Sequence, residues 1–110
     1  MKLPNADQAF IDPAKIRDYL LSGAHPVGRF KAAFFTSLGY TQNEWEKLRD
    51  DLLVLAREGD AQPGQQGNFG RTFEVDGMLN GPSGRTVEVR TVWIVGVEET
   101  VSRFVTAYPR

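Results

Sequence analysis

The sequence predicts an α+β domain in which three N-terminal helices pack on one face of a C-terminal antiparallel sheet of about four strands. Helix-start signals and apolar residues at helical spacing occupy the first half of the chain. Strict alternation of apolar and polar residues begins at Arg71, and turn-forming residues separate the later segments. The 110 residues fit a single domain, 1–110, with its helical part at about 10–59 and its sheet at about 60–109.

The first helix has a capped start that is marked by proline. Asp12 can accept a hydrogen bond from the backbone of the first turn. Pro13 suits the first helical position because its missing N–H would have no partner there. The helix is expected to end near Ser22-Gly23. Its apolar stripe consists of Ile16, Tyr19 and Leu20.

A second, short helix is predicted from apolar residues at helical spacing, with Gly39 as a left-handed stop. The stripe consists of Val27, Phe30, Phe34 and Leu38.

The third helix has the clearest start. Thr41 and Glu44 form a capping box, and Tyr40 can pack onto Trp45 across the first turn. A length of about 17 residues, ending at Gly59, would reach across a sheet. The apolar face consists of Trp45, Leu48, Leu52, Leu55 and Ala56.

After Gly59 the pattern changes. Residues 61–70 are rich in Gly, Gln and Pro, which is typical of a loop or of a poor edge strand. Two reversals, at Asn80–Gly84 and around 96–100, separate the strands that follow, and the last strand is expected at 101–108. In the longest strand, the side chains expected on one face are Val87, Val89, Thr91, Trp93 and Val95. The polar face carries Thr72, Glu74, Asp76, Glu88, Arg90 and either Thr106 or Arg103.

Composition excludes several classes of function. The chain has no cysteine, so disulfides, thiolate metal sites and cysteine nucleophiles are all excluded. A single histidine with no cluster at ligand spacing predicts no metal, and no cofactor motif is present. No apolar run approaches the roughly 20 residues that cross a bilayer, and no signal peptide is recognised, so a cytoplasmic protein without membrane contact is expected. The net charge of −1 gives no overall basic field.

His25 is the leading candidate for catalysis, because histidine titrates near neutral pH and can act as a general acid or base. Arg29 and Lys31 follow it near a predicted helix start, where positive charge favours an anion such as phosphate. The alternative is that His25 is a surface or capping residue. The two cations would then be the solvated side of a helix that buries Phe30 and Phe34.

The C-terminal strands carry further candidates: Arg90, Thr91, Arg103, Thr106 and Tyr108. Arginine and hydroxyl groups can supply the charge stabilisation, positioning and auxiliary proton donation that a metal-independent phosphodiester cleavage needs. The alternative is that Thr and Tyr occupy strands for packing reasons alone. The aromatic residues at periodic positions are expected in the core and not as a base-stacking platform: Phe30, Phe34, Phe35, Trp45, Phe73, Trp93 and Phe104.

Four segments carry a family resemblance: HPVGRFKA at 25–32, LGY at 38–40, RTVWI at 90–94 and VTAYP at 105–109. With them the chain resembles, from Leu3 to Pro109, a family of small bacterial proteins described only as domain of unknown function 6883. The layout of that family is in turn similar to the broad barnase, EndoU, colicin and RelE-like ribonuclease class. Such domains place helices before a four-stranded antiparallel sheet, and many act as toxins.

The resemblance implies a metal-independent, toxin-type ribonuclease-like domain, with RNA as substrate and no cofactor. The 2′-hydroxyl would attack the adjacent phosphate and leave a cyclic phosphate end. His25 would be the acid or base, Lys31 or Arg29 would bind phosphate, Thr91 and Thr106 would position the substrate, and Tyr108 would assist. The residues predicted to be catalytic are His25, Lys31 and Thr106, and those predicted to bind substrate are Arg29, Arg90, Thr91, Arg103 and Tyr108.

The alternative function is a non-catalytic protein-interaction module of a small bacterial two-gene system. Such a module would bind a small cognate protein through the polar sheet face or through an edge strand. The weak strand signal at 61–70 favours this alternative, because a weak edge can accept an added strand.

Overall fold

The computed structural model describes residues 1–26 and 28–110, and it confirms an α+β fold in which three helices precede a four-stranded antiparallel sheet. The helices are α1 (Pro13–Lys15), which continues into a π-helical segment (Ile16–Leu20), α2 (Arg29–Ser37) and α3 (Trp45–Glu58), and a short 3-10 helix (Ala6–Gln8) precedes them. The strands are β1 (Ala61–Gly67), β2 (Gly70–Asn80), β3 (Thr86–Gly96) and β4 (Arg103–Pro109), in the order β1-β2-β3-β4. Within the described ranges, no helix has the length and apolar character needed to cross a bilayer.

The first helix begins as predicted and ends differently. The Asp12 carboxylate accepts a hydrogen bond from the Ala14 backbone N–H at 2.9 Å, which confirms the cap. Beyond Lys15 the helix widens into the π-helical segment, whose last turn closes with the Leu21 N–H on the Ile16 carbonyl at 2.9 Å. The helix therefore ends at Leu20, before the predicted Ser22-Gly23. Short π-helical turns often occur at functional sites.

The buried face of α2 differs from the predicted one. Phe30 leaves 72% of its surface exposed, whereas Ala32 and Phe35 are buried. At Gly28 an added Cβ would overlap a carbonyl oxygen of the π-helical segment, so the chain makes its close approach there. Gly28, Ala32 and Phe35 recur at i, i+4 and i+7 and are buried. Of the predicted stripe, Leu38 is confirmed as buried and Phe34 is half-buried against the core, so that Phe30 is the member that departs from the prediction. Val27, the first member of the predicted stripe, lies outside the described residues.

The start of α3 is one turn later than the capping box predicts. The Glu44 N–H does donate to the Thr41 hydroxyl at 3.2 Å, but the backbone of Glu44 is not helical, and α3 begins at Trp45. The predicted apolar face is confirmed at Leu48, Leu52 and Ala56, which are buried. The stop at Gly39 after α2 is also confirmed, since its φ is 101°.

The helix α3 contacts β2 closely: a Cβ on Gly77 would lie 2.7 Å from Leu55 Cγ. Buried side chains from α3 and from the strands belong to one hydrophobic core. The packing of all three helices on one face of the sheet stays a prediction.

The sheet resolves the alternatives that the sequence left open at 61–70. This segment is mostly the edge strand β1, and its pairing with β2 is irregular between Pro63 and Gln66. In contrast, β2 and β3 pair without interruption from Gly70↔Gly96 to Asn80↔Thr86. The predicted alternation in β3 is confirmed at four buried residues: Val89, Thr91, Trp93 and Val95.

The other edge strand, β4, contains a β-bulge. Val92 pairs with Thr106 and the next residue, Trp93, pairs with Phe104, so that Val105 is an extra residue in β4. Bulges of this kind locally redirect side chains and occur beside many active sites.

Candidate functional site

A pocket of about 610 Å³ opens between the first helical segments, His25 and β4. Its basic and hydrogen-bonding lining residues are Lys15, Tyr19, His25 and Thr106, and its acidic ones are Asp12 and Asp18. In the described part of the chain, no group of three or more His, Asp or Glu side chains is arranged to hold a metal ion.

Tyr19 is the centre of this pocket. The Lys31 ammonium group donates a hydrogen bond to the Tyr19 phenol oxygen at 2.8 Å, and the Thr106 hydroxyl oxygen lies 3.4 Å from the same atom. The His25 ring packs edge-on against the Tyr19 ring, with 5.0 Å between the centroids. The Nζ atoms of Lys15 and Lys31 lie 5.5 and 5.2 Å from the Tyr19 ring centroid. Three of the predicted residues therefore converge on a fourth that was not predicted.

The electrostatics of the pocket act on the Tyr19 hydroxyl. Burial alone raises the pKa of Tyr19, because it disfavours the charged phenolate. The hydrogen bonds with Lys31 and Thr106 and the positive charges of Lys31 and Lys15 act in the opposite direction and outweigh burial. The pKa of Tyr19 is therefore lower than the ordinary value of a tyrosine.

A backbone hydrogen bond near the start of α2 determines which tautomer of neutral His25 fits the structure. The Gly28 N–H donates a hydrogen bond to His25 Nδ1 at 2.8 Å. A neutral imidazole that accepts at Nδ1 carries its proton on Nε2. In this arrangement His25 is a hydrogen-bond donor through Nε2.

Local features of the sequence bring these side chains together. The Asp12 cap and the π-helical segment present Tyr19 to the pocket, and Gly28 lets the start of α2 approach the same segment. On the opposite side, the bulge in β4 allows two consecutive residues, Val105 and Thr106, to line one pocket. Consecutive residues of a regular strand would point to opposite faces.

A second polar cluster crosses three strands at the level where Asp76, Arg90 and Tyr108 are paired neighbours. The Arg90 guanidinium binds both carboxylate oxygens of Asp76, at 2.8 and 3.1 Å, and lies 3.6 Å from the Glu74 carboxylate. Arg110 also contacts Asp76. The hydrogen bond from Arg90 lowers the pKa of Asp76, and the hydrogen bond to Asp76 is the largest of the effects that raise the pKa of Arg90. The charge of Arg90 is thus largely engaged within the protein.

The other predicted residues lie apart from the pocket. Thr91 is fully buried, where its hydroxyl donates to the Val75 carbonyl and accepts from the Trp93 indole N–H, each at 2.8 Å. Arg103 lies 3.6 Å from Glu99. Arg29 is exposed, with its guanidinium 4.8 Å from the Phe30 ring centroid. Thus His25, Lys31 and Thr106 come together around Tyr19, and Arg90 and Tyr108 belong to the second cluster. Arg29, Thr91 and Arg103 belong to neither group.

Of the pocket lining, the sequence predicts only His25 and Thr106 as site residues, and the most consequential residues it misses are Tyr19 and Lys15. The sequence pattern assigns Tyr19 only to the apolar stripe of the first helix. The available signal was the i, i+4 spacing of Lys15 and Tyr19, which places an ammonium group beside a phenol on one helix face. That spacing alone does not reveal Lys31 or Thr106, which come from other elements.

The fold and the pocket define a small α+β domain in which a mostly apolar pocket with a few polar side chains lies beside the edge strand β4. The chain belongs to the family described as Domain of unknown function (DUF6883), whose model matches residues 2–110, and this confirms the resemblance found in the sequence. Among solved structures, a chain of a contact-dependent growth inhibition toxin–immunity protein complex from Klebsiella pneumoniae 342 has a similar fold. Its TM-score is 0.72 at 19% identity, with 96% of each chain covered. No curated protein matches the sequence.

Proposed function

We propose that this chain is a toxin-type, ribonuclease-like domain that cleaves RNA phosphodiester bonds by a metal-independent mechanism. The supporting observation is that His25, Lys31 and Thr106 all contact Tyr19, which lines the pocket together with His25 and Thr106. The pocket volume of about 610 Å³ is within the range of about 300–1,000 Å³ typical of small-ligand sites, so it can accept a nucleotide unit.

In the proposed reaction the 2′-hydroxyl oxygen bonds to the adjacent phosphorus while the bond from phosphorus to the 5′-oxygen breaks. The products are a cyclic phosphate end and a 5′-hydroxyl end. Negative charge develops on the phosphoryl oxygens, and donors fixed in the pocket stabilise it. The Lys31 ammonium supplies positive charge, the His25 Nε2–H donates a hydrogen bond, and the Thr106 hydroxyl orients the phosphate.

The fold comparison is consistent with a place in a toxin–immunity system. The Klebsiella chain of similar fold belongs to a complex described as a contact-dependent growth inhibition toxin and its immunity protein, and that description fits a toxin-type domain or an interaction module equally. The barnase, EndoU, colicin and RelE-like class has the same layout, with functional groups contributed by both the helical part and the sheet. The pocket described above likewise joins helical residues to Thr106 of β4.

The test is cleavage of a single-stranded RNA in the presence of a chelator, with the cyclic phosphate end measured directly. We expect wild-type protein to cleave and His25→Ala to cleave about 100-fold more slowly, because loss of one donor to the developing charge costs about 10²–10³-fold. Lys47→Met is the control, since Lys47 pairs with Asp51 on α3 outside this pocket. Cleavage by His25→Ala at the wild-type rate would exclude the proposed mechanism.

A second candidate function is a protein-interaction module, favoured by the edge strand β1. This strand is mostly exposed, and its pairing with β2 is irregular, so its outer edge can accept a strand from a small cognate partner. A tagged chain would be used to isolate partners from its host, and each partner would be added to the cleavage assay. If this chain leaves RNA intact and binds a partner in a fixed ratio, the interaction module is supported. If this chain cleaves RNA and the partner blocks that cleavage, a toxin and its antidote are supported.

A further inference from the structure

The proposed cleavage needs a group that takes the proton of the attacking 2′-hydroxyl. Neutral His25 accepts a hydrogen bond at Nδ1 and carries its proton on Nε2, so it offers a donor at that atom. An ammonium group such as Lys31 has donors only, and the hydroxyl of Thr106 is a very weak base. The residues predicted from the sequence therefore leave the reaction without a base.

We propose that Tyr19, as a phenolate paired with Lys31, is the general base of this pocket. This inference rests on the proposed ribonuclease-like function and adds a residue and a role to it.

The position of the Tyr19 phenol oxygen suits this role. It lines the pocket, it accepts a hydrogen bond from Lys31 Nζ at 2.8 Å, and the Thr106 hydroxyl lies 3.4 Å away. A phosphate held by Lys31 and Thr106 would therefore lie beside this oxygen, with the neighbouring 2′-hydroxyl within reach. Proton transfer requires such hydrogen-bond proximity before any matching of acidity.

The titratable groups around Tyr19 come from the first helix, from α2 and from the segment at His25, whereas β4 contributes only the uncharged residues Val105 and Thr106. Lys31 of α2 and Lys15 of α1 lie near the ring, His25 of the loop packs against its edge, and Asp12 and Asp18 line the same pocket. The net result is a pKa of Tyr19 lower than that of an ordinary tyrosine, with the two lysines as the charged groups that lower it. The phenolate is therefore populated at lower pH than in an unperturbed tyrosine.

The proton and the electron pairs balance in this step. The phenolate oxygen takes the proton of the 2′-hydroxyl, and the electron pair of that O–H bond forms the bond to phosphorus. The electron pair of the bond from phosphorus to the 5′-oxygen leaves with that oxygen, which takes a proton from a water molecule. The hydroxide that remains takes the proton from the Tyr19 phenol, so the phenolate is restored.

The first test measures ionisation without RNA. The chain has three tyrosines, and tyrosinate formation is followed by ultraviolet absorbance as the pH rises. We expect one ionisation step at lower pH than the titration of an ordinary tyrosine, and this step should be absent in Tyr19→Phe. It should move to higher pH in Lys31→Met, which removes a positive charge beside the phenol, and stay unchanged in the control Lys47→Met. A low-pH step that survives in Tyr19→Phe, or that does not move in Lys31→Met, would overturn the inference.

The second test measures cleavage. We expect Tyr19→Phe to lower the rate at least about 100-fold with little change in KM, as for loss of a general base. We also expect the wild-type rate to rise with pH along the tyrosinate titration. If wild type cleaves and Tyr19→Phe cleaves equally well, only the role of Tyr19 is excluded. If wild type cleaves no RNA, the ribonuclease proposal itself fails, and this inference fails with it.

Discussion

Gly28 influences two side chains of the pocket at once. Its backbone N–H donates to His25 Nδ1, and its lack of a Cβ allows the close approach to the carbonyl oxygen of Tyr19. Any larger residue would have to move the start of α2 away from the π-helical segment. A residue without a side chain therefore helps to fix both the form of His25 and the placement of Lys31 beside Tyr19.

The buried face of α2 gives a direct stability prediction. Phe35 is fully buried and Phe30 is 72% exposed. We expect Phe35→Ala to lower the free energy of unfolding by about 3–5 kcal/mol, because it leaves a cavity in the core. Phe30→Ala, the matched control, should cost less than about 0.5 kcal/mol, as surface substitutions usually do. Denaturant unfolding measures both, and equal losses would mean that α2 buries the face that its aromatic spacing predicts.

The chemical role that a residue can play is easier to predict from the sequence than the side chains that contact it in the fold. His25 and Lys31 were identified from residue type and from their proximity in sequence. Tyr19 was missed because a tyrosine at helical spacing serves equally well as a packing residue, and only the fold shows that Lys31 and Thr106 meet its hydroxyl. Thr91 shows the opposite case, since its hydroxyl is used inside the core.

At the level of elements, β2, β3 and β4 are joined by more than backbone pairing. Asp76, Arg90 and Tyr108 occupy paired positions, and Arg90 links the Asp76 and Glu74 carboxylates. Arg110 adds a second cation to Asp76. Cross-strand pairs of opposite charge stabilise a sheet and help to fix its register.

The pKa of Asp76 makes this cross-strand cluster sensitive to acid. The pKa of Asp76 is lower in the folded than in the unfolded protein. Its contribution to the free energy of unfolding is therefore fully present above the unfolded pKa of about 3.9 and is lost as pH falls through the folded pKa. We expect Asp76→Asn to lower the free energy of unfolding by roughly 1–2 kcal/mol at pH 7, as for loss of a charged hydrogen bond.

The measurement is denaturant unfolding of wild type and Asp76→Asn at several pH values. The difference between the two proteins should shrink toward zero in acid. Asp50→Asn is the control, because Asp50 is an exposed residue of α3 that pairs with its sequence neighbour Arg49 and not across strands. A difference that persists undiminished in strong acid would show that the carboxylate charge is not its cause.

The beginnings of elements were predictable where a side chain bonds the local backbone, as at Asp12. The π-helical segment and the buried face of α2 were not, because both depend on what the helix packs against. The composition of 61–70 left two possibilities open, and pairing with β2 decides between them. Local chemistry thus predicted the order and type of elements, whereas the contacts between them required the fold.

For the whole molecule, the position of the cations matters more than their number. Basic and acidic residues nearly cancel, with a net charge of −1. Arg90, Arg103 and Arg110 are engaged with carboxylates, whereas Lys15 and Lys31 lie beside the pocket. The proposed RNA contact therefore depends on the individual positions of Lys15 and Lys31, since Asp12 and Asp18 line the same pocket.

This distribution predicts a weak dependence of RNA binding on salt. Two phosphate contacts, from Lys15 and Lys31, should give a slope of log affinity against log salt concentration of about −1.4, at roughly −0.7 per contact for a single strand. Lys15→Met should reduce the slope to about −0.7. Titrations of a non-cleavable RNA over a range of KCl concentrations measure this. A slope several times steeper would require cations outside the pocket.

The extra residue in β4 makes strand length a determinant of the pocket. Val105 and Thr106 line one cavity at the point where the pairing with β3 shifts by one residue. We expect loss of one residue here to restore regular pairing and to change which β4 side chains face Tyr19. Among related chains, an insertion or deletion within β4 would therefore alter the pocket more than most substitutions there. A related chain can thus retain His25, Tyr19 and Lys31 and still lose the position of Thr106 beside the Tyr19 hydroxyl.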